Sequence, residues 1–279
     1  MQKDEPDWPD CPPAASVWQI PSGLLDLAEA RARAGGVLAL SGPPGIGKTQ
    51  LGFDLALHLR RPDRRIEVLS LDDFYIPEHG RARDPMANHP LFRTRGVPGT
   101  HQLERLIACM ASMSRGENTM VPRFDKLLDR PQPARRWRAG RPVQLFILEG
   151  WCLGAPAVAD EDLAEPLNDL ERNGDPDARW RRQVNHKLRY YEARMRPLIA
   201  DLWFLLPPDW DHVRRWRREQ EECLPGSGPR KDGAAVDEFL QHFERLARRM
   251  MEQPPAGALI LPVDAERRLG QPYRREQNA

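Results

Sequence analysis

Cysteine is scarce in this chain, with four in 279 residues. Cys11, Cys109, Cys152 and Cys223 lie far apart and make no C-x-x-C pair. That argues against a zinc site or a disulfide framework and leaves reduced cytosolic thiols as the default. Long apolar runs are missing too, and none approaches the length needed to cross a bilayer. The first twenty residues carry Asp4, Glu5, Asp7 and Asp10 among several prolines, in place of the basic start and apolar core of a secretory signal. Net charge is nearly absent: 42 Lys and Arg stand against 41 Asp and Glu, leaving +1. This balance gives no reason to propose nucleic acid or an anionic membrane as a partner. There is no internal repeat and no interior linker long enough to force a second domain. The expectation is a cytoplasmic protein whose single domain covers 17–270, between a flexible leader at 1–16 and a tail at 271–279. That length can bury a substantial core.

What the chain does contain begins at Gly42-Pro43-Pro44-Gly45-Ile46-Gly47-Lys48-Thr49, which fits the phosphate-binding pattern G-x-x-x-x-G-K-[ST]. A chance match in this length is on the order of 1%, and the context lowers it further. Val37–Leu40 reads as a short buried strand, and the residues from Leu51 continue as a helix. In that setting the loop's N–H groups and the helix N-terminus cradle polyphosphate. The cofactor-binding residues are therefore Gly42, Pro43, Pro44, Gly45, Ile46, Gly47, Lys48, Thr49 and the adjoining Gln50. Lys48 would reach the terminal phosphates, and the Thr49 hydroxyl would ligate Mg²⁺.

Further strands are expected at 66–71, 143–148, 202–206 and 259–261, separated by helical patterns at 22–33, 103–110, 183–196, 209–222 and 236–250. The fold class is α/β, a P-loop NTPase fold with a five-stranded, mainly parallel sheet and helices on both faces. Residues 76–101, 116–142 and 154–182 show no periodicity and are expected to be irregular. In such sheets ligands bind beyond the carboxyl ends of the strands, which places the P-loop, Asp72-Asp73 and Glu149 together.

Two carboxylates after a strand also serve as turn caps. Opposite a P-loop they suit phosphoryl transfer to a hydroxyl, which needs a base at the acceptor and help in holding Mg²⁺. Asp72 is the candidate base, with Asp73 assisting, and Glu149 is the Walker-B-like carboxylate. An AAA-type motor is disfavoured, because Glu149 is followed by glycine with no Asp before it and no later segment reads as a sensor-and-lid domain. Arg93, Arg95, His101, Arg123 and Lys126 lie in the two basic loops. Singly each reads as solvated charge; together they suggest an anionic acceptor, since guanidinium grips a carboxylate bidentately. Arg217, on a charged helix, is the candidate lid cation.

Several stretches together resemble one family. They are the P-loop, Ser70-Leu71-Asp72-Asp73-Phe74-Tyr75, Arg95-Gly96-Val97-Pro98-Gly99-Thr100-His101, Val121-Pro122-Arg123-Phe124-Asp125-Lys126, Glu149-Gly150-Trp151-Cys152-Leu153-Gly154 and Trp216-Arg217. Val184-Asn185 with Leu188 and Tyr190-Tyr191 adds to them. The set resembles the D-glycerate 3-kinase group, within the phosphoribulokinase, uridine kinase and pantothenate kinase class, over residues 17 to 265. The resemblance implies ATP and Mg²⁺ as cofactors and a small anionic hydroxy acid as acceptor, with D-glycerate going to 3-phosphoglycerate. It implies Lys48, Asp72 and Arg217 as catalytic residues. Asp73, Tyr75, Arg93, Arg95, His101, Arg123 and Lys126 would bind substrate, and Thr49, Asp72 and Glu149 would hold the metal. This chain has Gln102 where the family usually carries Asp. A kinase for uridine, pantothenate or a sugar phosphate, and an ATP-binding regulator without turnover, are the alternatives.

Overall fold

The computed structural model describes residues 18–81, 89–138, 141–222 and 231–275. The proposed leader, Cys11, Cys223 and most of the glycine-rich stretch before Val236 lie outside the described residues. In chain order the helices are α1 Ser22–Ala34, α2 Lys48–Leu59, α3 Glu78–Arg81, α4 Leu103–Ser114, α5 Asp169–Gly174, α6 Arg179–Met195, α7 Trp210–Glu222 and α8 Gly233–Glu252. The strands are β1 Gly36–Ser41, β2 Ile66–Ser70, β3 Thr119–Asp125, β4 Arg130–Trp137, β5 Leu145–Glu149, β6 Ile199–Leu206, β7 Leu259–Pro262 and β8 Tyr273–Arg274.

The main sheet has the order β2-β5-β1-β6-β7-β8. Its first five strands run parallel, and β8 adds an antiparallel edge to β7. The mainly parallel sheet expected from the five apolar runs is present, with β8 as a sixth strand contributed by the stretch expected to be tail. Alternation along β1 shows why the sheet is covered on both sides. Val37 and Ala39 face one layer with α4, α6 and α8, whereas Leu38 and Leu40 face the other with α1 and α2. A strand buried on both faces is continuously apolar, as its sequence is.

Local signals set the helices. In α4, Leu103, Leu106, Met110 and Met113 recur at helical spacing and are all buried. The side chain of Asp232 accepts the Ala235 N–H and caps α8.

The stretch 116–142, expected to be irregular, contains an antiparallel hairpin of β3 and β4. Pro122, Pro131 and Pro133 hide the alternation, yet a two-stranded ribbon tolerates proline because each strand has a free edge. The Asp125 carboxylate accepts the N–H groups of Leu127 and Leu128 and so closes the turn. The excursion at 154–182 contains α5 and a short 3₁₀ turn at Asp160–Leu163. Asn185 ties it down by bonding both the N–H and the carbonyl of Val158.

Candidate active site

Strand register aligns the three carboxyl ends. Glu149 at the end of β5 sits opposite Leu40 of β1 on one side and Ser70 of β2 on the other. The loop after β1 and the turn after β2 therefore flank Glu149. Thr49, at the start of α2, donates its hydroxyl to Glu149 Oε1 at 3.1 Å. A hydroxyl and a carboxylate meeting at the phosphate loop are hard oxygen donors of the kind Mg²⁺ takes.

The loop itself needs its glycines. Gly42, Gly45 and Gly47 have φ of 146°, 81° and 97°, values that favour glycine. A Cβ on Gly45 would lie 2.9 Å from the backbone N of Arg217, so α7 is seated directly on the loop. Ile46 is fully buried and anchors the loop in the core. The Lys48 ammonium bonds the Pro43 carbonyl at 3.0 Å, curled back within the loop. Burial lowers its pKa, partly offset by Glu149 and Asp72. Gln50 is turned away to Asp54 at 2.8 Å. Asp54 in turn accepts the backbone N–H of Trp18, whose indole N–H bonds the Gly47 carbonyl at 3.2 Å. Gln50 and Trp18 thus brace the loop from behind, and Trp18 was not among the residues expected at the site.

Asp72 follows β2 in a 3₁₀ turn, Leu71–Phe74, that begins when the Ser70 hydroxyl accepts the Asp72 N–H. Its Oδ1 accepts the Tyr75 hydroxyl at 2.7 Å and its Oδ2 accepts the Lys126 ammonium at 2.6 Å. Burial alone would raise this carboxyl, but the Lys126 charge and hydrogen bond outweigh it and hold Asp72 well below the usual carboxylate range. Lys126 shows the reverse effect: burial lowers its pKa, and Asp72 and Glu149 together raise it. Asp73 differs from its neighbour. Burial and the nearby carboxylates of Glu149 and Asp72 push it up to about 6, against the charge of Lys126 and an N–H bond from Phe124.

The β3–β4 turn delivers Lys126, and arginines fix that turn. Arg95 bonds Asp129 Oδ1 at 2.9 Å and the Lys126 carbonyl at 2.6 Å. Arg81, fully buried, bonds Asp129 Oδ2 at 2.6 Å and the carbonyls of Ile76 and Arg93. Arg95 is therefore a brace at the site and not a free cation. The Arg93 side chain is exposed, and only its carbonyl joins the network. Arg123 is half-buried in β3, one residue from the Phe124 N–H that meets Asp73.

His101 stacks on Tyr75 with ring centroids 4.5 Å apart. Its Nδ1 is 2.9 Å from the Tyr191 hydroxyl, which also accepts the Gly99 N–H at 3.1 Å. Since that oxygen is already an acceptor, its own proton is best used on Nδ1, leaving the imidazole proton on Nε2. Burial lowers the His101 pKa to about 4, so the ring is neutral at pH 7. Tyr191, quoted above only as part of the resemblance, and Arg81, which no local pattern singled out, are positioning residues. Gln102 bonds the Tyr75 carbonyl at 3.1 Å and holds this loop in place.

Arg217 lies on α7, 8% exposed at the side chain, paired with Glu221 at 2.8 Å and set over the Phe239 ring at 5.7 Å. Burial lowers its pKa against the pull of Glu221, and its second terminal nitrogen has no hydrogen-bond partner among the described residues.

No protein-family model matches the chain. It is 29% identical over 220 residues to the uncharacterized kinase mug58 of Schizosaccharomyces pombe, covering 74% of this chain and 78% of that one. It is 26% identical over 260 residues to the chloroplastic D-glycerate 3-kinase of Arabidopsis thaliana, which covers 83% of this chain and 53% of that longer one. Among solved structures, D-glycerate 3-kinase from Cryptococcus neoformans superposes with a TM-score of 0.71 at 21% identity, covering 91% of this chain and 97% of the other. The fold is that of a P-loop kinase, and the resemblance drawn from the motifs is matched by kinase relatives along most of the chain. No helix among the described residues is long and apolar enough to cross a membrane.

Proposed function

We propose that this chain transfers the γ-phosphoryl group of ATP to a hydroxyl of D-glycerate, giving 3-phosphoglycerate and ADP. The observation that carries the reading is the Asp72–Lys126 pair beside Glu149 and Thr49. An ionised carboxylate beside the loop supports the reading, since an acceptor hydroxyl approaching a bound nucleotide needs a base there. The sequence similarity to the Arabidopsis enzyme supports glycerate as the acceptor.

The acceptor oxygen attacks the γ-phosphorus, the bond to the β–γ bridging oxygen breaks, and ADP leaves with that electron pair. Asp72 receives the hydroxyl proton as the new bond forms. Such a base contributes roughly 10²–10⁴-fold. Lys48, released from the Pro43 carbonyl, and the unpartnered nitrogen of Arg217 meet charge on the transferring group. Thr49 and Glu149 would hold Mg²⁺, which when bound shields the phosphate oxygens. Both Asp72 oxygens already accept hydrogen bonds from Tyr75 and Lys126, which favours the acceptor role over metal binding. Neutral His101, with Arg123 and Lys126, would orient the glycerate carboxylate and hydroxyls.

The test is ADP release by the purified protein with a panel of hydroxy acids, nucleosides and sugar phosphates. Stimulation by D-glycerate is expected. Clear stimulation by another acceptor and none by D-glycerate would sink the assignment. Lys48→Ala and Asp72→Asn are each expected to lower kcat by roughly 10²–10⁴-fold with the fold intact. An active Asp72→Asn enzyme would remove Asp72 as base.

A further inference from the structure

Arg217 and Glu221 stand four residues apart on α7, both buried, with their side chains ion-paired at 2.8 Å. Three features make this a poor pair for stability. Taking two charges out of water can cost more than their attraction returns. A helix favours the acid before the base at this spacing, and here the order is reversed. Glu221 also lies in the last turn of α7, where the helix dipole opposes a negative charge. The pair is better explained by what it holds in place.

The backbone of Arg217 lies against the phosphate loop at Gly45, and the charge of Asp72 acts on its guanidinium. That guanidinium has Glu221 Oε2 as one neighbour and the Phe239 ring, 5.7 Å away, as another. Fixing it there removes rotamers that a long side chain would otherwise sample. The other oxygen of Glu221, Oε1, accepts the backbone N–H of Lys231 at 3.1 Å, just before α8 begins. One carboxylate therefore joins the arginine of α7 to the entry of α8, the helix that supplies Phe239. The Lys231 ammonium and the Arg95 guanidinium lie 5.6 and 5.9 Å from the same ring. Arg95 repels Arg217, and Glu221 opposes that repulsion more strongly than Asp72 does. A second link between the two helices, Asp237 with Arg214 and Arg218, uses none of these residues.

We propose that Glu221 is a positioning residue for phosphoryl transfer, holding Arg217 at the phosphate loop through one oxygen and fastening the start of α8 through the other. This rests on the kinase reading of Arg217.

A double-mutant cycle on the full chain tests it, with steady-state ADP release as the readout. The cycle uses whichever acceptor of the panel turns over, or slow ATP hydrolysis if none does. Glu221→Gln is expected to lower kcat roughly ten- to fiftyfold, with each KM within about threefold. In an Arg217→Ala background the same substitution should change kcat by less than about twofold, because the acid acts through the arginine. Asp237→Asn loosens α7 from α8 elsewhere and should lower Tm while leaving kcat within about twofold. Glu221→Asp takes the place of Glu221→Gln should the glutamine variant not fold. A kcat within about threefold of wild type, losses that multiply in the double variant, or an equal loss in Asp237→Asn would overturn the proposal. Full activity of Arg217→Ala would remove the arginine and its acid from the mechanism together. Failure of D-glycerate as acceptor would touch only the substrate assignment, since the cycle does not depend on it.

Discussion

Replacing Asp73 by Asn is expected to stabilise the protein at neutral pH while lowering its activity. Burial, with Glu149 and Asp72 close by, raises this carboxyl from its ordinary 3.8 to about 6. At 1.36 kcal/mol per unit, the gap of roughly two units amounts to about 3 kcal/mol. Partial solvent access to the side chain reduces this to about 2 kcal/mol. The folded state binds the proton more tightly than the unfolded chain. The associated stability is therefore fully present below the unfolded pKa and is lost as pH rises through about 6. At pH 7.5 the wild type carries the whole penalty of a buried, crowded carboxylate. Asn carries none of it and keeps a carbonyl for the Phe124 N–H. A rise in Tm of roughly 4–8 °C is expected at pH 7.5, falling to about a third of that at pH 4.5. Differential scanning calorimetry in chelator, without nucleotide, reads both values. No rise at pH 7.5, or the same rise at both pH values, would refute the electrostatic account. The loss of activity follows from removing a carboxylate that crowds Glu149, and stability given up at an active site is a common trade.

Three other substitutions test separate parts of the site. Gly96 has φ of 129°, and a Cβ there would meet the Phe243 ring at 2.1 Å. Gly96→Ala is expected to cost about 3 kcal/mol and lower Tm by roughly 6–12 °C, and an unchanged melting curve would contradict that packing. Tyr191→Phe removes the hydroxyl joining the Gly99 N–H to His101 Nδ1. The KM for the acceptor should rise about tenfold with kcat within about threefold, and a fall confined to kcat would place Tyr191 elsewhere in the mechanism. Trp18→Phe keeps the ring against Gly47 but loses the indole bond to its carbonyl. The KM for ATP should rise roughly five- to tenfold with the acceptor KM unchanged, and equal changes in both would contradict a role confined to the loop.

The parts of this protein that were legible in its sequence are those whose physics is local. A phosphate cradle requires glycine at fixed spacing, and a strand buried on both faces must be a continuous apolar run, so β1, the P-loop, β5 and β6 can be read directly. Asp72 and Glu149 followed from strand ends and the parallel topology. What was hidden depends on partners distant in sequence. The β3–β4 hairpin was obscured by its prolines and arginines, although it carries Lys126 to Asp72, 54 residues away. Tyr191 reaches His101 across 90 residues and Trp18 reaches Asp54 across 36, with no spacing rule to reveal either contact. Arg95 stands out in the sequence as a candidate, but its bond to Asp129 became visible only once the hairpin turn had been placed.

Two of the five basic residues that suggested an anionic acceptor, Arg95 and Lys126, and the candidate lid cation Arg217 are paired with acids of the site itself. Arg95 holds Asp129 at 2.9 Å, Arg217 holds Glu221 at 2.8 Å and Lys126 holds Asp72 at 2.6 Å. Such pairing fixes each cation before any ligand arrives, which lowers the reorganisation needed at the moment of reaction. It also means that an incoming carboxylate shares these cations and does not simply neutralise them. Among the described residues, Arg93, Arg123 and the second nitrogen of Arg217 have capacity to spare. For Asp72 the count of lone pairs decides whether pairing blocks function. A carboxylate offers about four acceptor sites, and Tyr75 and Lys126 occupy one on each oxygen. An acceptor hydroxyl can therefore bond Asp72 without displacing either neighbour. The ammonium that keeps Asp72 ionised can stay in place while the carboxylate receives the proton.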